Sequence, residues 1–365
     1  MDNFSSLINL KEGGPEKEDV QNFSKLLSSI RKEINRTPFF HNCQICKKAN
    51  IKLCNSHTIP RFILKNIEDN GRLYNTQILK TNPLSQQENG IENIQTFKNI
   101  CIECDSKIFQ EYENPENWLK TPNDIMLSQI ALKTHLYYQW KLTRDIKFLE
   151  YINKNTYEKR CIKERKSPIY GIYEPWKVDK KYHTREVQRI YSDINKGDFL
   201  FEIGYFKKLS YTIPIAIQST FTIYFDLHDK LLNNPLCSKI DGLDNVYICL
   251  YPFQNSSIVL VFYKKNAKYN KFFRELNELE LEKQLSILNF LIFLYSEDIF
   301  ISKNIDNKIF KDMNLQNFAF IQPITKTKKS NTKTMQKARL DAFKRGYTIS
   351  NYYKCVNLLS KEFAI

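Results

Sequence analysis

The chain has 365 residues and a formal net charge of +15, from 55 basic and 40 acidic side chains. Glycine is scarce, at 9 residues, which excludes collagen-like repeats; no G-x-x-x-x-G-K or G-x-G-x-x-G loop occurs. The basic excess points to an anionic partner, most simply nucleic acid, although a chain so rich in Lys, Asn and Ile also gains lysine through compositional bias.

Residues 1–36 read as a helical lead-in, because Val20, Phe23, Leu26, Leu27 and Ile30 recur at helical spacing after Pro15. Residues 37–120 hold the paired cysteines. Residues 121–197 read as a helical connecting segment, with Ile125, Ile130, Leu132 and Leu136 on a broad apolar face and a basic stretch at Lys154–Lys166. From residue 198 the pattern changes. FLFEIGYF, YTIPIAIQSTFTIYFDL, NVYICLYPF and SSIVLVFYKK are rich in β-branched and aromatic residues, which predicts a mostly antiparallel sheet over 198–265. Helical spacing returns over 268–296, so 198–320 is expected to be an α+β domain of unassigned role. Residues 321–365 form a basic C-terminal segment: between Lys326 and Arg345 eight basic residues face one acid, Asp341. The run over 324–345 reads as solvated chain or as a contact for phosphate backbone.

The longest apolar run, Ile287–Tyr295, is interrupted by Asn289 and is too short to cross a bilayer. The first residues lack the basic-then-apolar order of a signal peptide. The expectation is a cytoplasmic protein with no membrane partner.

The nine cysteines are odd in number and do not suggest a disulfide framework. Four of them form two C-x-x-C pairs, Cys43/Cys46 and Cys101/Cys104. Each such pair can present two thiolates to one ion, and two pairs complete a tetrahedral zinc shell. A structural zinc on these four is the strongest expectation. A rival set stands beside it: Cys43, Cys46, Cys54 and His57, in which C-x-x-H replaces the second pair. The remaining cysteines read as small buried hydrophobes.

The order C43-x-x-C46, S56-H57-x-I-P, C101-x-x-C104-D105 and then F-x-x-Y-E resembles the zinc-stapled branch of the HNH (ββα-metal, His-Me finger) endonucleases over about residues 41–118. The resemblance implies an α+β chain: a zinc-stapled ββα-metal module, a helical segment, then a larger α+β domain with a mostly antiparallel sheet. It implies metal-dependent hydrolysis of DNA phosphodiester bonds. His57, on the first hairpin strand, would be the general base, which suits an imidazole neutral near pH 7. Pro60 would end that strand.

Asp105 stands where many members place a metal-binding His. Glu113, about two turns further on the same face if 104–114 is one helix, is a second candidate ligand, and with it Asp105 would hold a catalytic Mg²⁺ or Mn²⁺. Arg61 and Lys107 could contact backbone phosphate. Large C-terminal domains in such proteins suggest a regulatory ligand or partner protein, and bacterial members often serve restriction or anti-phage defence. The chain also departs from the pattern. Ser56 precedes His57 where a metal ligand is usual, and neither Asn93 nor Asn99 has the usual spacing. An excursion over Ile67–Asn93 separates the motifs. A zinc-stapled module that binds nucleic acid or a partner without cutting is the alternative. His41 could support the zinc shell, and His135, His183 and His228 read as structural or surface residues.

Overall fold

The structure is a computed structural model, and it describes residues 17–36, 38–79, 88–155, 168–234, 243–296, 298–319, 340, 341, 344 and 346–365. Within them the chain is α+β, with a seven-stranded antiparallel sheet and helices on both sides of the central strands.

Helix α1 (Lys17–Asn35) matches the predicted lead-in, and Ile30 and Ile34 are its buried contacts. A two-stranded ribbon follows, made by β1 (Ser56–His57) and β4 (Thr96–Phe97), which pair antiparallel with His57 opposite Thr96. Helix α3 (Ile102–Ile108) comes directly after it, so strand, strand and helix stand in ββα order. Between the two strands lies the predicted excursion. It contains β2 (Arg72–Asn75) and β3 (Glu88–Gly90), and α2 (Arg61–Leu64) precedes it. Pro60 sits at the start of α2, so β1 ends three residues before the proline.

The excursion does more than lengthen a loop. Strands β2 and β3 join the main sheet through β9 (Phe300–Ile301), where Tyr74 pairs with Ile301. The other strands are β5 (Phe201–Leu209), β6 (Ile215–Phe221), β7 (Val246–Phe253) and β8 (Ser256–Lys264), and the sheet order is β3-β2-β9-β6-β7-β8-β5. The expected boundary between residues 37–120 and 198–320 is therefore bridged by a continuous sheet. The excursion thereby covers the side of β9 that β6 leaves open. The strands predicted over 198–265 are all present. A two-residue turn joins β7 and β8, with Asn255 at φ 61° in the left-handed region that Asn tolerates.

Helix α5 (Asp124–Asn155) is the spine between the ribbon and the sheet. Asn123 caps it, accepting from the Met126 N–H at 2.9 Å. Its N-terminal half is buried on most sides, at Met126, Leu127, Ile130, Ala131, Leu132 and Leu136. Ile125, expected on the apolar face, is exposed instead. Helix α6 (Pro168–Lys196) packs along α5, and the basic stretch at 154–166 lies almost wholly outside the described residues.

Beyond the sheet come α7 (Ala267–Asn277) and α8 (Leu281–Tyr295). The apolar run predicted at 287–295 is α8, sealed in the core. Asn289 interrupts it for a reason: its amide donates to the Val356 carbonyl at 2.8 Å and accepts the Leu358 N–H at 3.1 Å. The chain end is thereby pinned to the core, where Tyr347, Ile349, Cys355, Leu358 and Leu359 are buried. Residues 346–365 are thus part of the fold. Most of the basic run 326–345 lies outside the described residues. Among the described residues no helix is long and apolar enough to cross a membrane.

Candidate metal centre and the site beside it

The first cysteine pair sits in a tight knuckle. The Cys43 N–H donates to the Lys48 carbonyl at 3.2 Å, and the Lys47 N–H returns to the Cys43 carbonyl at 3.0 Å. Lys47 and Asn50 take positive φ (61° and 55°) to close the turn. The second pair lies at the start of α3, with Cys101 in the capping position. The Cys101 N–H donates to Cys43 Sγ at 3.4 Å, and Leu53 bridges to Cys101.

The four thiol sulfurs of Cys43, Cys46, Cys101 and Cys104 all lie within 4.8 Å of one another, and Cys46 Sγ is 3.9 Å from Cys101 Sγ. A tetrahedral zinc with Zn–S bonds near 2.3 Å needs sulfurs roughly 3.8 Å apart. The donors are all soft, three of the four residues are buried, and the set fits a structural zinc. Burial raises the Cys43 and Cys104 thiols, so an ion that takes thiolates would offset that cost. The rival set is not assembled: Cys54 Sγ turns to the Ile100 carbonyl at 3.3 Å, and His57 faces elsewhere. His41 is exposed and outside the cluster.

His57 is half-buried on β1, and its Nε2 lies 3.2 Å from the Ile91 carbonyl oxygen. A carbonyl only accepts, so Nε2 carries the proton and Nδ1 keeps the lone pair. Burial holds the imidazole below its usual pKa of 6.5, with the Ile91 bond partly opposing. A half-buried neutral imidazole with one nitrogen fixed and the other basic is competent to accept a proton. The strand is fixed on the far side as well. Thr58 bonds the Gln95 carbonyl through both N–H (3.0 Å) and Oγ1 (2.9 Å), and Tyr112 Oη donates to the Thr58 carbonyl at 3.1 Å.

Asp105 and Glu113 converge, as expected, but not on one helix. Helix α3 ends at Ile108, and a separate turn, α4 (Gln110–Glu113), carries Glu113. What brings the two together is Lys133 of α5. Its side chain is 1% exposed, and its Nζ lies 3.2 Å from Asp105 Oδ1 and also bonds Glu113 Oε1. Asp105 Oδ1 further accepts from Ser56 Oγ at 2.6 Å. Burial raises the Glu113 carboxyl, and Lys133 works against that rise.

The expected Mg²⁺ or Mn²⁺ fits these residues poorly. A cation already lies between the two carboxylates, and Ser56 is a hydroxyl committed to Asp105. Among the described residues, only the four cysteines form a group of three or more converging metal-ligand side chains. The two residues expected to meet phosphate are each paired: Arg61 with Glu92, and Lys107 with Glu103 at 3.0 Å. All four side chains are about half exposed or more, and pairs of that kind are weak enough to exchange partners.

Asn99 has a structural task. Its side-chain amide donates to the Leu136 carbonyl at 2.9 Å and to Gln139 Oε1 at 3.1 Å, and its backbone carbonyl accepts the Gln44 N–H at 2.8 Å. It ties the first cysteine knuckle to α5. The other histidines stand apart from the site. His135 and His183 share a 2.7 Å Nδ1–Nδ1 bond between α5 and α6, and His228 lies 3.5 Å from Glu275.

Two features escaped the sequence reading. The Ile91 carbonyl is backbone and leaves no trace in residue type. Lys133 did leave one: it sits at a buried helical position in register with Met126, Ile130 and Tyr137, where a charged residue needs a partner. No family model, curated protein or solved structure matches this chain.

Proposed function

We propose that residues 41–118 form an HNH-type endonuclease module that hydrolyses DNA phosphodiester bonds, with His57 as general base. The supporting observation is the fixed imidazole. Its Nε2–H is held by the Ile91 carbonyl on the hairpin strand of a ββα unit, and its Nδ1 stays basic. In the reaction, water would give a proton to Nδ1 as its oxygen forms a bond to phosphorus. The bond from phosphorus to the leaving alkoxide oxygen then breaks. Zinc on the four cysteines would be structural, locking α3 to the first knuckle so that Asp105, one residue past the last ligand, stands under the strand that carries His57. Arg61 and Lys107 would trade their carboxylate partners for phosphate oxygens. The overall charge of +15 favours such a polyanion.

A hydrated Mg²⁺ or Mn²⁺ on the outer carboxylate oxygens is the rival account of the site's cation. A regulatory ligand or partner on the C-terminal domain, and a role in bacterial restriction or anti-phage defence, belong to the same proposal. Ser56 and Lys133 favour a second reading, in which the module binds nucleic acid or a partner without cutting. Plasmid DNA separates the two. Purified protein should nick or linearise it in the presence of Mg²⁺, Mn²⁺ or zinc alone, and His57→Ala should not. Equal inertness of both proteins across those conditions and candidate activators would sink the nuclease reading.

A further inference from the structure

Lys133 occupies a helix position that a core residue would take, and its ammonium is enclosed. Besides Asp105 and Glu113, it meets the ring faces of Phe109 at 4.5 Å and Tyr112 at 5.6 Å. The two carboxylates that reach it are the same two that the HNH resemblance nominates as ligands. Their oxygens Oδ1 and Oε1 converge on nitrogen where that resemblance places a divalent ion. A second cation on this pair would meet the field of an ammonium that is itself shut off from water and so less screened than in bulk. Asp105 is also the acceptor for Ser56, the residue before His57, so the ammonium steadies the strand that carries the base.

We propose that Lys133 is the resident cation of this site: its ammonium fills the place between Asp105 and Glu113 that a catalytic metal would take, so the pair binds no Mg²⁺ or Mn²⁺. Lys133 is a positioning residue, acting through Asp105. The proposal concerns the site of the proposed hydrolysis and rests on that reading for its catalytic meaning, but not for its test.

The test is a Mn²⁺ titration of the full chain loaded with zinc, with free Mn²⁺ read by its electron paramagnetic resonance signal. Wild type and Glu113→Gln should give superimposable, weak isotherms. Lys133→Gln should gain a Mn²⁺ site roughly 10-fold tighter or more. Adding Glu113→Gln to it should remove that site. A wild-type Mn²⁺ site that Glu113→Gln weakens would overturn the proposal. A folded Lys133→Gln protein that takes up Mn²⁺ no better than wild type would do the same. If Lys133→Gln does not fold, the comparison of wild type with Glu113→Gln decides alone. No DNA enters the titration, so an inert nuclease assay and a failed Mn²⁺ result remain distinguishable.

Discussion

The Nε2 nitrogen of His57 lies 3.2 Å from the carbonyl oxygen of Ile91, 34 positions further along the chain. Ile91 follows β3 directly, and β3 belongs to the main sheet. The excursion that separates the two halves of the motif therefore also supplies the group that orients its histidine.

That bond sets an expectation for tautomer and pH. Nitrogen-resolved NMR should show His57 as the neutral Nε2–H form at pH 7. Burial keeps its pKa under 6.5, so protonation removes the base only below that value. Cleavage should hold from pH 7.5 to about 6.5 and fall at lower pH. A limb centred at or above pH 7 would show that another group titrates.

Zinc content tests the ligand set. Cys101→Ser should lose the bound zinc and destabilise the protein by on the order of 4 kcal/mol or more, as loss of a structural metal does. Cys54→Ser and His57→Ala should retain it, since Cys54 bonds the Ile100 carbonyl and His57 the Ile91 carbonyl. Metal analysis with chemical denaturation reads both. Zinc lost on Cys54→Ser would restore the rival set.

Much of this arrangement was legible because local chemistry fixed it. The C-x-x-C spacing carries its own geometry, and the strands over 198–265 declare themselves through β-branched and aromatic residues. The ββα order was implied by the family resemblance that S-H-x-I-P and the second pair carry. What could not be read were contacts between distant segments. Nothing in Arg72–Asn75 says that it will pair with Phe300–Ile301, so the excursion looked like part of a separate domain. Asp105 and Glu113 were expected on one helix two turns apart. The break after Ile108 was not foreseen, and their convergence depends on a lysine 20 residues beyond Glu113. Nor could the sequence say that the apolar residues after 346 would be gathered by Asn289.

The paired histidines predict how stability depends on pH. His135 is fully buried, and burial holds its pKa well below 6.5; burial pushes His183 down to about 3. The unfolded chain binds protons that the folded pair excludes, so stability rises with pH across this window. It is complete above about pH 6.5 and is lost as pH falls toward 3. An excluded proton is worth about 2 kcal/mol between pH 6.5 and 5. Urea midpoints should fall over that range, and His135→Gln should flatten the slope whatever it does to the absolute value. An unchanged slope would remove the pair as the cause.

Gly204 lies at the bulge in β5, where the register with β8 shifts between Ile203 and Tyr205. A Cβ there would stand 2.6 Å from ring carbons of Phe273 and Tyr263, which are stacked on each other. Gly204→Ala must push one ring away and should cost about 1–3 kcal/mol, as overpacking does. Thermal denaturation checks it. A neutral substitution would mean that α7 can shift off the sheet freely.

Trp118 tests whether the four-cysteine module and the sheet are one cooperative unit. It is 2% exposed, donates its indole N–H to the Tyr112 carbonyl at 2.8 Å, and meets Tyr251 of β7 edge-on at 4.9 Å between centroids. Tyr112 in turn holds Thr58, next to His57. Trp118→Ala should therefore cost about 3–5 kcal/mol. Because β2 and β3 of the excursion lie in the same sheet as β5–β8, the loss should appear in one transition, not two. Circular dichroism, dominated by the whole fold, and zinc release, local to the four cysteines, should give coincident denaturation curves for wild type and variant. Zinc release well before the loss of ellipticity would show that the module unfolds alone, and that the continuous sheet does not couple the site to the C-terminal domain.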